Sequence, residues 1–196
     1  MSRRLVMILM LVVTGTTVAG EADPRIAESR AAAQELGGAL KSVLVAAMQA
    51  GGPVSAISVC NAKAPQIAGA ISVRHGWEVG RTTLKVRNPA NAPDAWERAV
   101  LERFERERAA GAAAASLEFA ETVQTEDGSV FRYMKAIPTG EVCLTCHGTA
   151  LAPEVGERIA ALYPRDQATG FGVGDIRGAF TISIPEEAVP AGPSGG

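Results

Sequence analysis

Five consecutive residues, Cys143-Leu144-Thr145-Cys146-His147, constrain this chain more than any other feature. Two cysteines separated by two residues and followed directly by histidine form the C-x-x-C-H sequence at which c-type haem is attached. In a helical turn both thiols can reach the vinyl groups of one porphyrin, and the adjacent imidazole is a standard axial ligand of haem iron. The motif therefore predicts one covalent haem c, attached through Cys143 and Cys146 with His147 on the iron.

The cysteine pair has other interpretations. A structural zinc site needs four ligands, and the sequence contains only three cysteines and two histidines, with no second cysteine pair. A thioredoxin-like dithiol is expected after a strand of a parallel sheet, which the pattern here does not predict. A redox dithiol or a disulfide is therefore the alternative to haem.

The first residues are typical of a secretory signal peptide. Basic Arg3 and Arg4 precede an apolar run over residues 5–13, and small residues continue to Ala19, where a cleavage motif ends. The alternative, an uncleaved anchor helix, would need about 20 apolar residues to span a bilayer. We therefore expect residues 1–19 to be removed and the protein to be exported to the periplasm. No later segment is expected to span a membrane.

Composition narrows the classes of partner. The 196 residues carry a net charge of −2, and no basic patch is concentrated anywhere along them. Nucleic acid is therefore not expected as a partner. The length left after processing suits one domain, which we place at residues 20–184.

Helical patterns come first in the chain and strand patterns later. Apolar residues at helical spacing predict a helix from Pro24 that stops at Gly51-Gly52, a second helix from Pro53, and a third capped by Asp94. Strands are predicted over residues 79–86, 117–123, 130–137 and 179–184, and a short helix over residues 153–162. This order predicts an α+β fold with a small antiparallel sheet, followed by a disordered tail over residues 185–196.

The second axial ligand of the iron stays open at this level. Cys60 lies within the apolar stripe of the second helix, which suits a residue facing a porphyrin and equally suits a small core residue. His75, Met48 and Met134 are the other candidates, and an open coordination position is a further alternative.

Other charged residues give weaker signals. Arg81, Lys85 and Arg87 alternate along a predicted strand and could reach the haem propionates, although exposed strand charges explain them equally well. No second histidine, tyrosine or carboxylate cluster lies near the haem motif to provide acid–base chemistry. The chain is therefore not expected to be an enzyme.

Several separated motifs resemble one bacterial family. They are Ala56 to Asn61 with Ala64-Pro65, Arg87 to Asn91, Cys143 to Gly148, and Asp166 to Ala179. Together, in this order, they resemble the Tll-type c-haem domain, which occurs in exported proteins and in the sensor regions of histidine kinases. The resemblance implies a PAS-like antiparallel sheet with N-terminal helices, one covalently bound haem, and His147 and Cys60 as the axial ligands. The chain departs from the receptor members by showing no kinase.

The resemblance implies redox or gas sensing, and electron transfer has also been considered for the family. A thiolate opposite an imidazole stabilises ferric over ferrous iron, because the thiolate is anionic. The ferric ion in turn keeps the thiol deprotonated. Reduction removes one positive charge, so Cys60 is expected to take up a proton and leave, which opens a site for CO or NO.

We therefore expect an exported monohaem c-type cytochrome that acts as a redox- or gas-responsive sensor, with a redox or signalling protein of unknown identity as its partner. The alternative is a low-potential periplasmic electron carrier whose ligands never change.

Overall fold

A long helix, α1 (Pro24–His75), opens the part of the chain that the computed structural model describes, which is residues 23–126 and 128–186. Gly51 and Gly52 have non-helical backbone angles, with Gly52 at a φ of 69°. Positive φ is accessible to glycine without a steric penalty, and this break divides α1 into two arms, residues 24–50 and 53–75. The sequence prediction of two helices separated at Gly51-Gly52 is confirmed.

Four strands form one antiparallel sheet. They are β1 (Glu78–Thr82), β2 (Glu118–Thr125), β3 (Gly128–Pro138) and β4 (Ile176–Pro185), in the order β1-β4-β3-β2. All four predicted strands are present. The strand β1 is shorter than predicted because Thr83 leaves the pairing with β4 and its N–H donates to the carbonyl of Asn91 at 3.2 Å.

Three shorter helices complete the fold: α2 (Ala95–Ala109), α3 (Glu141–His147) and α4 (Pro153–Leu162). The helix α2 begins as predicted at Asp94, whose side chain accepts from the N–H of Glu97 at 2.7 Å, while the Glu97 carboxylate accepts from the N–H of Asp94 at 3.1 Å. This reciprocal pair is a capping box, which satisfies N–H groups that the first helical turn leaves free.

The sheet separates two cores. Because side chains alternate along a strand, Phe131 and Tyr133 of β3 face α1, while Met134 faces α2. A third, smaller cluster joins Ile57 of α1 to α4 and includes the partly buried Cys146. This last cluster fixes α3 next to the second arm of α1.

The predicted α+β class is confirmed, with helices and a four-stranded antiparallel sheet. The predicted signal peptide over residues 1–19 lies outside the described residues, as does the predicted tail from residue 187 onward. Pro185, which was assigned to that tail, is instead the last residue of β4.

One segment of α1 bears on the expectation that no later segment spans a membrane. An 18-residue stretch of this helix has a mean hydropathy of 1.6, apolar enough to cross a membrane by length and composition alone. The core helix of a water-exposed fold passes the same test. Part of α1 packs on the sheet through residues such as Ala32 and Leu36, which are fully buried. Of the apolar stretch itself 17% is buried in the fold, and Leu44 and Met48 are among the α1 residues that line the cavity described next.

Candidate functional site

A cavity of about 500 Å³ lies between α1, the β1–β4 side of the sheet and α3. Cofactor and small-molecule pockets commonly enclose about 300–1,000 Å³, so this cavity is large enough for a bound group. Both arms of α1 supply its mainly apolar wall, which includes Leu40, Leu44, Met48 and Ile57. The two cysteines and the histidine of the C-x-x-C-H motif supply a second wall.

All four residues predicted to hold the cofactor line this one cavity. Cys143, Cys146 and His147 reach it from α3, and Cys60 reaches it from the second arm of α1. The three cysteines are free thiols in the structure. Residues separated by more than 80 positions in the sequence therefore meet in one space, which sequence spacing alone cannot establish.

The short helix α3 contains the whole motif. Cys143 and Cys146 are three positions apart, a spacing that places side chains on the same face of a helix. Gly148 closes α3 by donating its N–H to the carbonyl of Leu144 at 2.9 Å. A Cβ at this position would lie 2.6 Å from that carbonyl oxygen, so the turn after the motif requires glycine.

His147 is oriented for metal binding by its second ring nitrogen. Its Nδ1 lies 2.6 Å from the carbonyl oxygen of Ala168. A carbonyl oxygen only accepts hydrogen bonds, so Nδ1 carries the proton and the lone pair of the neutral ring is on Nε2. Metal-binding histidines usually have such a partner, which fixes the tautomer. Burial, with the positive charges of Arg177 and Arg87, lowers the pKa of His147 to about 3.

Arg87 fixes the loop that provides this carbonyl. Its guanidinium donates to both carboxylate oxygens of Asp166, at 2.9 and 3.0 Å, and to the carbonyls of Cys146 at 2.7 Å and Ala168 at 3.2 Å. The side chains of the pair are 11% and 10% exposed. Arg87 thus connects the end of α3 to the loop that orients His147.

We expect Arg87→Gln to destabilise the protein by about 3–5 kcal/mol, because removing one member of a buried ion pair leaves the other charge without compensation. The matched control is Arg103→Gln, which removes an exposed arginine paired with Glu107 one helical turn away and should cost less than about 1 kcal/mol. Urea unfolding of both variants measures the difference. Equal losses of unfolding free energy would contradict the assigned role of Arg87.

Cys60 lies half-buried on the cavity wall. Burial raises the pKa of its thiol above the ordinary value, and the nearby Arg81 guanidinium acts in the opposite direction. The thiol form is therefore favoured when no cation is bound. A coordinated metal ion reverses this preference, since a thiol must lose its proton to become a ligand.

The other candidates for the second axial ligand are placed differently. His75 bonds to Glu35 at 2.9 Å and stacks on Trp77, outside the lining of the cavity. Met134 is fully buried in the core between the sheet and α2. Met48 does line the cavity. Geometry therefore leaves Cys60 and Met48 as the candidates that share a cavity with His147.

Sequence reasoning missed several residues of this site. Arg177 of β4 lines the cavity, while Asp166 and the Ala168 carbonyl act behind Arg87 and His147. Of the predicted propionate contacts, Arg81 and Arg87 line the cavity, but Lys85 is exposed and donates to the Thr169 carbonyl at 3.2 Å. Asp166, Ala168 and Arg177 all lie within the segment from Asp166 to Ala179, one of the motifs that resemble the family. That resemblance was the one sequence signal for their importance.

The donor set suits a haem better than a bare ion. Within residues 23–126 and 128–186, no group of three or more histidine, cysteine or acidic side chains is arranged to hold a metal ion. A zinc site needs four such ligands. An imidazole with a free lone pair, thiols and a broad apolar wall together match the needs of a porphyrin.

Comparisons with known proteins give the family of this chain and one structure that it resembles. The chain belongs to the Tll0287-like family, whose sequence model matches residues 7–185. It is also similar to a solved structure, that of the cyanobacterial haem protein Tll0287. The two share 27% sequence identity with a TM-score of 0.63, over 85% of this chain and 98% of the other. No match was found among curated proteins.

Proposed function

We propose that this protein binds one c-type haem in the cavity between α1 and α3 and acts as an exported redox- or gas-responsive haem domain. Cys143 and Cys146 form the thioether bonds, and His147 and Cys60 are the axial ligands of the iron. The proposal is supported by the C-x-x-C-H motif, by membership of the Tll0287-like family, and by the similarity to a structure described as a haem protein.

The observation that carries the proposal is the meeting of four residues in one cavity. The two attachment thiols, an imidazole in the metal-binding tautomer, and a third thiol from another helix all line the same space. A redox dithiol would need only Cys143 and Cys146. It would leave Cys60, the fixed tautomer of His147 and the apolar wall of α1 without a role.

The two proposed axial ligands have different roles: His147 is the fixed ligand and Cys60 is the ligand that can be released. Haem supplies an iron that changes oxidation state and binds diatomic gases. The Ala168 carbonyl orients His147, and Arg87 holds that carbonyl in place. Burial, followed by the charges of Arg177 and Arg87, favours the neutral imidazole, so the fold keeps this ligand in position in both oxidation states. Cys60 has no comparable hydrogen-bond partner among the described residues, and its burial favours the protonated thiol. Cys60 is therefore the ligand that can leave.

Export is part of the proposal. Basic Arg3 and Arg4, the apolar run and the small residues up to Ala19 support cleavage of a signal peptide and a periplasmic location.

Electron transfer is the second candidate function. Val142 of α3 lines the cavity and is 51% exposed, so the cavity reaches the surface directly beside the attachment motif. A cofactor edge at this position could exchange electrons with a docked partner without any change of ligand.

Binding of CO to the reduced protein separates the two functions. In the sensor, we expect reduction to release Cys60, so that ferrous protein titrated with CO shows a new Soret band and saturates at one CO per haem. The ferric protein should not bind CO. The variant Met48→Leu, altered at the other candidate on the α1 wall, should behave as the wild type. A ferrous spectrum unchanged by CO would overturn the sensor and favour the electron carrier.

A further inference from the structure

The cavity has one polar side. Its polar residues are concentrated on β1, on the loop that follows β1, and on β4, whereas α1 contributes mostly apolar side chains. The polar side includes Arg81, Thr83, Arg87, Asn88, Asn91 and Arg177. A bound group that fills this cavity should therefore be apolar over most of its surface and polar at one edge.

Positive charge on the polar side exceeds negative charge. Arg81, Arg87 and Arg177 all line the cavity, and Asp166 is the carboxylate that pairs with one of them, Arg87. Three guanidinium groups minus one carboxylate leave two positive charges. Among the described residues, neither Arg81 nor Arg177 forms an ion pair within 4.0 Å of a carboxylate. Arg81 and Arg177 are half-buried, and charges withdrawn from water are normally paired, so this surplus indicates an anionic ligand.

Arg177 also has a hydrogen-bond donor without a partner in the described part of the chain, which again indicates an anionic ligand. One of its terminal nitrogens donates to the hydroxyl of Thr83 at 3.3 Å, while its buried Nε has no hydrogen-bond partner among the described residues. Burial, followed by the charges of Arg87 and Arg81, lowers the pKa of Arg177 to about 10. Burial also lowers the pKa of Arg81. An anion at this wall would relieve both the repulsion and the missing hydrogen bonds.

The backbone holds Arg177 at this wall. The next residue, Gly178, has a φ of 153°, and a Cβ there would lie 2.4 Å from the carbonyl oxygen of Thr82. Only glycine permits β4 to approach the end of β1 this closely. The approach brings Arg177 of β4 to the same wall as Arg81 of β1.

We propose that Arg81 and Arg177 bind the two propionate groups of the haem. Arg87 is a positioning residue, because its guanidinium is already paired with Asp166. This assignment rests on the proposed haem binding and adds the orientation of the haem within the cavity. Two propionates carry two negative charges, which equals the surplus of the wall. Guanidinium groups bind carboxylates with two parallel hydrogen bonds, so each arginine can fix one propionate.

Resonance Raman spectra of the ferrous holoprotein test the assignment, because the propionate bending bands respond to hydrogen bonds at the carboxylates. We expect these bands to shift in Arg81→Gln and in Arg177→Gln, and to shift further when both are combined. Arg81→Lys and Arg177→Lys, which keep the charge, should restore most of the wild-type position. The control Lys41→Gln removes a charge from an exposed residue on the α1 wall and should leave the bands unchanged.

Failure of this inference is distinguishable from failure of haem binding. The thioether bonds retain haem in every variant, so absorbance confirms loading before each spectrum. Loaded Arg81→Gln and Arg177→Gln proteins with wild-type propionate bands would overturn the inference and leave haem binding intact. A crystal structure of the wild-type holoprotein gives a second test that needs no variant, since it should place the propionates on Arg81 and Arg177. Wild-type protein without haem would overturn the proposed function itself.

Discussion

Replacing Cys60 by alanine is expected to change the ferric protein from a low-spin, six-coordinate form with thiolate-type absorption to a form that lacks the thiolate signature. Loss of the anionic ligand removes the stabilisation of ferric iron, because a negative ligand favours the more positive metal. We expect the reduction potential to rise by on the order of 0.1 V or more, within the range of roughly 0.8 V that axial ligands span. Ferric absorption spectra and redox titration of the purified variant measure both effects.

Two matched variants give this prediction its controls. His75→Ala removes the only other histidine of the sequence, which forms a hydrogen bond with Glu35 outside the cavity. Met48→Leu removes the methionine that, of the two within the described residues, lines the cavity. Both should keep the thiolate spectrum. An unchanged ferric spectrum in Cys60→Ala would remove Cys60 from the iron, and a changed spectrum in Met48→Leu would assign the ligand to methionine instead.

The second large effect is expected from Cys143→Ser combined with Cys146→Ser. Serine is close to cysteine in shape, but its hydroxyl cannot form a thioether bond to a porphyrin vinyl group. Covalent haem should fall from one per chain to none, although His147 and Cys60 are still present. Extraction with acidified acetone, which removes only haem that is not covalently bound, followed by absorbance of the remaining protein, measures the loss.

Cys60→Ala is the matched control for the double variant, because it also removes a cysteine from the same cavity. It should keep its haem through the same extraction, even though its spectrum changes. Haem that resists extraction from the Cys143→Ser, Cys146→Ser protein would show that the attachment assigned to α3 is wrong.

Local patterns predicted most of the fold. The break at Gly51-Gly52 was readable from two consecutive glycines before a proline, since glycine disfavours a helix interior. The start of α2 was readable because Asp94 precedes an apolar, helically spaced run. The end of β1 was not readable, because Thr83 continues the alternating pattern and leaves the sheet only for a hydrogen bond to Asn91, eight positions further on.

The candidate site likewise contains residues that the sequence predicts and residues that it does not. The motif on α3 is local and was predicted residue by residue from its spacing. Arg177 and Asp166 were not predicted, since their roles arise from contacts with Arg81, Arg87 and His147 on distant segments of the chain. Long-range partners of this kind leave no periodic signal, so only the folded structure shows the surplus of positive charge in the cavity.

Peptide mass spectrometry of the denatured wild-type protein tests the central claim most directly. Cleavage after lysine and arginine yields one peptide over residues 136–158, which contains both Cys143 and Cys146, and another over residues 42–63, which contains Cys60. We predict that peptide 136–158 carries the mass of one haem and that peptide 42–63 carries a free thiol. A haem-free peptide 136–158, or a disulfide joining any two of the three cysteines, would contradict the account.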